Sequence, residues 1–401
     1  DLLRSTPIKG SNQSTVRGFN ERLVLHLIRR HGALTKAEAT RATGLSANAV
    51  SEIFKALEAD GLLLRDAPIR GRVGQPSVPM RLDPAARHYL GLKIGRRSFD
   101  MAAVDFGGRI LARRRAGHAW PTPEGAVAFA RANLRPLLRS ARLKAAEISG
   151  SSVAMPSELW HWTGEFGAPE AEMDAWRGFD VRGALGGLLP GPLSVENDGT
   201  AACRAEVVFG PDSGRQDAIH FFVGTFIGGG IVLNGGVFTG RQGNSGGFGP
   251  LRVPDEPGGT RLVDHASLAV LERLLAERGQ APGRLAESDD WSGLEPVLSE
   301  WIARAARSLA HAIVSTLAVI DFEAVVIDGA LPAPVRDRLV REVGARLDGL
   351  DLQGVSRPAL GPGHLGDAAR VLGAAAYWIS AEYMIDQNTL LRKRPSDAAA
   401  G

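Results

Sequence analysis

Apolar positions in the first eighty residues come in short one-sided patterns separated by compact polar breaks. Phe19, Leu23, Val24, Leu27 and Ile28 fall on one helical stripe that stops at His31-Gly32, since residues three and four apart share a helix face. Thr35-Lys36-Ala37-Glu38 has the form of a capping box. There the hydroxyl and the carboxylate each satisfy a backbone N–H of the opening turn, so a second short helix is expected. Gly44-Leu45 breaks that helix and Ser46 is placed to cap a third, whose Val50, Ile53, Phe54 and Leu57 form a single apolar side ending at Asp60-Gly61. Leu62–Arg65 and Val78–Leu82 read as strands around the turn Arg70-Gly71-Arg72-Val73-Gly74-Gln75-Pro76.

Three helices with a glycine turn between the second and third have helix-turn-helix spacing, and the strand pair adds a wing. The polar side of the third helix offers Ser46, Ala47, Asn48, Ser51, Glu52 and Lys55, groups small or polar enough to approach base edges and phosphates. Thr35 and Lys36, opening the preceding helix, join them as candidate DNA contacts, and Arg70 and Arg72 suit a narrow minor groove. The alternative is a three-helix protein-interaction module whose arginines are merely solvated. Cap, turn, one-sided helix and basic wing occur in the order DNA binding requires, which favours that reading. Residues 1–18, with Arg4, Lys9, Asn12, Gln13 and Arg17, lack periodicity and read either as an arm that orders on DNA or as a loose tail.

From Tyr89 the pattern changes. Tyr89–Ile94, Phe99–Asp105 and Arg109–Arg115 are short alternating runs joined by turn signals, followed by a helical stretch from Pro123 to about Arg142 and a strand at Ser151–Met155. Leu193–Glu196 leads into a helix at about 198–208, and Ala218–Val223 with Gly230–Asn234 form a second β-pair around a glycine turn. Helices near 261–277, 295–319, 333–347 and 367–383, with a buried-type strand at Ala324–Ile327, complete the pattern. Strand triplets alternating with helices, twice over, predict an α/β protein with two similar lobes and a cleft between them.

Composition narrows this further. A chain of 401 residues exceeds one compact core, so two or three domains are expected. Residues 1–82 carry 13 Lys+Arg against 7 Asp+Glu, or +6, whereas the remainder carries 34 against 37, or −3. A basic head on a slightly acidic body points to a polyanion partner for the head alone. Cys203 is the only cysteine and the nine histidines are scattered, which excludes an intramolecular disulfide and argues against a structural zinc. No window approaches ~18 uninterrupted apolar residues and no apolar run follows a basic start, so a cytoplasmic location with no membrane partner is expected.

Several stretches of the large domain carry a family resemblance. Gly91-Leu92-Lys93-Ile94-Gly95 through Val104-Asp105 to Gly108-Arg109-Ile110-Leu111, then Glu196-Asn197-Asp198 with Ala201-Ala202 and Glu206, then Gly224-Thr225-Phe226-Ile227-Gly228-Gly229-Gly230-Ile231-Val232-Leu233-Asn234-Gly235, and finally Gly243-Asn244-Ser245-Gly246 resemble successive segments of the ROK family of repressors and sugar kinases. The head, including Asn20-Glu21-Arg22-Leu23 and the glycine-arginine wing, resembles the repressor branch. The resemblance implies a winged helix-turn-helix followed by a two-lobed actin/hexokinase-like domain. The domains expected are an arm at 1–18, the winged head at 19–83, an N-lobe at 88–199 completed by the helix 367–383, a C-lobe at 200–366, and a tail at 385–401.

Departures from the family pattern decide what the large domain does. Kinases of the family open with Asp-x-Gly-Gly-Thr; here Lys93 stands in place of the Asp, Arg96-Arg97 replace Gly-Thr, and Phe226 replaces a glycine of the second phosphate loop. Phosphoryl transfer depends on positioning and charge neutralisation by those parts, so no kinase activity and no cofactor are expected. Asp198 matches the family's general base. The same carboxylate can instead hold hydroxyls of a ligand that never reacts, or simply cap a helix. Gly247 and Pro250 replace a sugar-gripping Glu and a zinc-bridging His, which implies a rebuilt pocket. Asn197, Asp198, Glu158, Trp160, His161 and Gly247 are the candidate ligand contacts; Trp160, Trp162 and Trp176 equally suit lobe or subunit packing. The expectation is a repressor that binds an operator as a homodimer or homotetramer and answers to a sugar or sugar derivative, with a vestigial-headed sugar kinase and a ligand-independent DNA-binding dimer as the alternatives.

Overall fold

The computed structural model describes residues 13–69, 77–211, 214–281, 285 and 289–385. The head holds α1 (Gln13–His31), β1 (Ala33–Leu34), α2 (Lys36–Thr43), α3 (Ala47–Ala59), β2 (Leu63–Arg65) and β3 (Met80–Leu82). Helix α1 begins at Gln13, ahead of the stripe that starts at Phe19. The capping box forms as the sequence implies: Thr35 Oγ1 accepts from the Glu38 backbone N–H at 3.2 Å, and Glu38 Oε2 accepts from the Thr35 N–H at 2.8 Å. Gly44 ends α2 with φ 71°, and Ser46 caps α3 by accepting from Ala49 N–H. The strands pair in the order β1-β3-β2, and Ile69 and Ser77 bridge at the base of the wing. The expected wing contacts Arg70 and Arg72, residues 1–12 of the expected arm, and residues 386–401 of the tail lie outside the described residues.

The large domain contains the same sheet twice. Its first half has β4 (His88–Ile94), β5 (Ser98–Asp105), β6 (Ile110–Gly117), α4 (Pro123–Ala141), β7 (Ile148–Met155), the short α5 (Glu170–Asp174) and α6 (Val181–Gly186), β8 (Leu193–Asn197) and α7 (Asp198–Phe209). Its second half has β9 (Ala218–Val223), β10 (Ile227–Leu233), β11 (Gly236–Phe238), the hairpin β12 (Arg252–Glu256) and β13 (Gly259–Arg261), α8 (Val263–Ala266), α9 (Leu268–Glu277), α10 (Val297–Leu317), β14 (Ala324–Gly329), α11 (Ala333–Asp348), β15 (Ala359–Pro362) and α12 (Ala369–Tyr383). The first sheet runs β6-β5-β4-β7-β8 and the second β11-β10-β9-β14-β15. In each, an antiparallel meander supplies three strands and two parallel strands extend it. This duplication is the two-lobed α/β architecture that the strand triplets predict.

Helices α7 and α12 pack on each other between the sheets, α12 against β4 and β7 and α7 against β10. Their approach is close enough that a Cβ on Gly373 would sit 1.6 Å from the Ala201 carbonyl oxygen, so only glycine fits there. The apolar core is not divided at the head. Val24, Leu25 and Ile28 of α1 and Val50, Phe54 and Leu57 of α3 belong to one buried cluster with Tyr89, Val104, Phe106 and Ile379 of the large domain. Arg29 Nη1 donates to the Phe106 carbonyl at 2.9 Å and its guanidinium lies 4.7 Å from the Phe106 ring centre.

Candidate functional site

The third helix carries its expected surface. Ser46, Ala47, Asn48, Glu52 and Lys55 are exposed and Ser51 is half-buried, whereas Val50, Ile53, Phe54 and Leu57 are buried. Lys55 pairs with Glu52 at 2.9 Å. Lys36 is exposed, but Thr35 is buried and its side chain is spent on the capping box. Thr35 therefore serves the turn rather than offering itself to a partner.

Between the two sheets lies a cavity of about 250 Å³. Five of the six expected ligand contacts line it: Glu158, His161, Asn197, Asp198 and Gly247. Trp160 does not; it packs with the apolar cluster of the first lobe, beneath the Arg177 guanidinium at 5.2 Å. The tryptophan that faces the cavity is Trp162, held at φ 58° and set edge-on against Phe226 at 5.4 Å. Trp176 is buried and donates its indole N–H to the Pro121 carbonyl, the packing role open to it from sequence.

Backbone geometry brings these groups together. Asn197 caps α7, its Oδ1 accepting from the Gly199 and Thr200 N–H groups at 2.9 and 3.1 Å, while its Nδ2 donates to Ser157 Oγ at 3.1 Å. Ser157 Oγ in turn donates to Asn244 Oδ1 at 3.2 Å, which ties the loop after β7 to the loop before β12. Gly246, at φ 88°, brings the second loop so close to β10 that a Cβ there would lie 2.5 Å from Gly230 Cα. Asp198 meets Arg370, from the first turns of α12, at 3.4 Å, and Glu158 pairs with His161 at 2.7 Å. The cavity therefore offers amide, hydroxyl, carboxylate and imidazole groups on one side and the Trp162 and Phe226 rings on the other, a set suited to a polyhydroxylated ligand with an apolar face.

The segment that would handle phosphate is filled. Lys93 is 1% exposed, and burial lowers its ammonium to about 7 while its Nζ donates to Ser98 Oγ at 2.7 Å. Arg96 turns inward, donating to the carbonyls of Leu159 at 3.0 Å, His161 at 3.2 Å and Glu158 at 3.3 Å, and stacks 4.7 Å from the Phe226 ring. Arg97 reaches Glu272 of α9 at 2.8 Å. A second cavity of about 420 Å³ adjoins this segment and is lined by Lys93, Arg97, Arg115 and His118. Burial keeps the His118 imidazole down at about 4. Asp367 sits among Arg115, Lys93, Arg370 and Arg113, whose charges outweigh its burial and hold it at about 2. Glu272, Asp289 and Asp367 also line this cavity, but Glu272 is held by Arg97 at 2.8 Å and Asp367 by Arg113 at 2.8 Å and Arg115 at 2.6 Å. Carboxylates engaged in this way are poorly matched to a nucleotide's magnesium ion.

A family-type zinc does not fit either. Phe248, between Gly247 and Gly249, is buried against Phe221 at 4.6 Å, Pro250 has no ligand atom in its side chain, and Cys203 is buried within α7 with its thiol pushed up to about 12.

A model of the ROK family matches residues 89–381. The chain belongs to the ROK family. Over 334 residues, 81% of each chain, it is 26% identical to Uncharacterized protein y4fQ of Sinorhizobium fredii. It is 25% identical to the DNA-binding transcriptional dual regulator NagC of Escherichia coli over 62% of this chain and 61% of that protein, so it spans less than two thirds of that regulator's length. The crystal structure of a ROK family transcriptional regulator, a homologue of the E. coli MLC protein, superposes with a TM-score of 0.62 at 18% identity, covering 90% of this chain and 95% of that one. A ROK family glucokinase from Streptomyces griseus, solved with glucose and AMPPNP, superposes with a TM-score of 0.55 at 22% identity over 72% of this chain and 98% of the other. These likenesses establish the fold, a helix-turn-helix head on a ROK domain, and repressors and kinases both stand among the relatives.

Sequence reasoning missed Arg370 and the bridging role of Ser157 and Asn244. Arg370 lies far along the chain in a helix whose pattern speaks only of burial, so nothing local marks it. Trp162 was visible among three tryptophans, but which one faces the cavity depends on the left-handed turn at that residue.

Proposed function

We propose that this protein is a sequence-specific transcriptional regulator, acting as a repressor of a carbohydrate uptake or catabolism operon, whose interlobe cavity binds a sugar-like effector without phosphorylating it. The observation that carries this reading is the filled phosphate segment. Lys93 and Arg96 are built into the lobe's own hydrogen bonds, while the polar cavity beyond them is kept and a helix-turn-helix head precedes it. The repressor relatives support it. In this reading the protein is cytoplasmic and works as a homodimer or homotetramer on double-stranded DNA. Recognition helices must then lie about 34 Å apart to enter successive major grooves, so effector binding that alters lobe closure changes operator affinity by two-state linkage.

The test pairs two measurements on the purified full chain. Selection from random duplexes, followed by anisotropy titration at several salt concentrations, is expected to yield one enriched motif with salt-sensitive affinity. A coupled nucleotide assay across a sugar panel is expected to show no turnover. ATP consumption with any sugar would replace this reading with that of a kinase.

A further inference from the structure

Away from the interlobe cavity, Glu206 of α7, His220 of β9 and Asp328 of β14 bring their side-chain ligand atoms within 4.8 Å of one another. His220 pairs with Val326 across the parallel β9–β14 ladder. Asp328, two residues further along, therefore points to the same face. His220 is 2% exposed, and neither of its ring nitrogens has a hydrogen-bond partner among the described residues. A buried imidazole with two unmet polar atoms calls for an explanation. Asp328 is fully buried and already oriented: it accepts from the Gly329 and Gly366 N–H groups at 2.9 Å each, with Arg336 at 3.7 Å. Glu206 is held from the other side by His364, whose backbone N–H donates to Oε2 at 3.1 Å and whose Nδ1 lies 2.5 Å from Oε1. The cluster opens on a cavity of about 190 Å³ lined by Glu206, His220 and His364 from the ROK domain and by His26 and Arg29 from α1 of the head.

We propose that Glu206, His220 and Asp328, with His364 at the rim, form a binding site for a divalent transition-metal ion at the seam between the head and the ROK domain. Two carboxylates and one or two neutral imidazoles are the donor set that first-row divalent ions such as Zn²⁺ and Co²⁺ accept, whereas Mg²⁺ and Ca²⁺ prefer oxygen alone. The backbone N–H bonds to Asp328 and the His364 contact to Glu206 supply the outer support that orients ligating side chains. Sequence analysis points to no metal because these donors come from four separated segments with no ligand spacing between them.

Full-length protein stripped with a chelator and dialysed against Zn²⁺ or Co²⁺ is expected to retain about one ion per chain by elemental analysis. The Co²⁺ form should show visible d–d bands of a four- or five-coordinate nitrogen–oxygen site. His220→Leu and Glu206→Gln, checked for folding by circular dichroism, should each weaken retention at least about tenfold. Folded wild-type protein that retains no ion, a His220→Leu variant that still holds one, or a Co²⁺ spectrum with a thiolate charge-transfer band placing the ion at Cys203, would each overturn the assignment. If the variants fail to fold, the wild-type stoichiometry and spectrum decide alone.

Discussion

Lys93 Nζ donates to Ser98 Oγ at 2.7 Å, joining the end of β4 to the start of β5 inside the lobe. Burial, reinforced by the Arg370 charge, lowers this ammonium to about 7, whereas an unfolded lysine keeps its proton to about pH 10.4. Between those values the unfolded chain binds more protons than the folded one. Stability therefore rises with pH there, by up to ~1.4 kcal/mol per pH unit. Lys93→Met removes the buried ammonium, so its stabilising effect should be largest near pH 7 and fade towards pH 10. Urea midpoints of the two proteins at pH 7, 8.5 and 9.5 measure this, and two curves a constant distance apart would show that Lys93 does not titrate as stated.

Arg96 is a support for its neighbours. Arg96→Gly restores the residue type the kinases carry at this position, yet it strips a donor from the carbonyls of Glu158, Leu159 and His161. Leaving buried acceptors unmet costs about 1–3 kcal/mol. The variant should melt earlier by calorimetry and should gain no ATP turnover in the coupled assay.

In the head, Asn48 and Lys36 should behave differently. Asn48→Ala is expected to weaken specific operator binding by roughly 1–3 kcal/mol and to relax the preferred base at one position, as loss of a base-edge contact does. Lys36→Ala should weaken binding to all duplexes alike and reduce the salt slope by about 1. Anisotropy titrations on operator and scrambled duplexes separate the two patterns.

Thr35→Ala tests the capping box rather than DNA contact. Losing the cap should cost ~1 kcal/mol of stability, seen as a lower thermal midpoint. DNA affinity measured well below that midpoint should be unchanged, and a large affinity loss there would return Thr35 to the DNA surface.

Asn244→Ala cuts the Asn197–Ser157–Asn244 chain between the two loops. It should change the stability of the ligand-free protein by no more than ~1 kcal/mol while diminishing the thermal shift given by whichever sugar stabilises the wild type. An undiminished shift would place the effector elsewhere.

Much of this molecule was legible in its sequence. The head's helices followed from Thr35, Ser46 and the glycine stops, because capping chemistry is local. The duplicated sheet followed from two sets of alternating strands. What escaped was set by distant contacts. The expected helix near 261–277 breaks at Ser267, which adopts an extended conformation while its Oγ accepts from the Ile227 N–H and its carbonyl accepts from the Trp301 indole. The hairpin β12–β13 is short and its register shifts between Arg252 and Glu256, so its alternation is too weak to read. In the site, Asn197, Asp198, Glu158 and His161 were visible because they lie in motif-like segments, whereas Arg370 and the orientation of the tryptophans depend on how α12 and the loop after β7 come to rest.

Arg29 and Phe106, pressed together with Ile28, Val104 and Ile379 in one cluster, bear on how such a chain can be re-engineered or diversify. A head traded for that of a relative by cutting near residue 83 would leave Phe106 without its guanidinium and present the rear of the large domain with a mismatched surface. Recombination that respects this seam must carry α1 and its receiving residues together, so under the proposed function a new operator preference is most readily reached by rewriting the outer face of α3 in place.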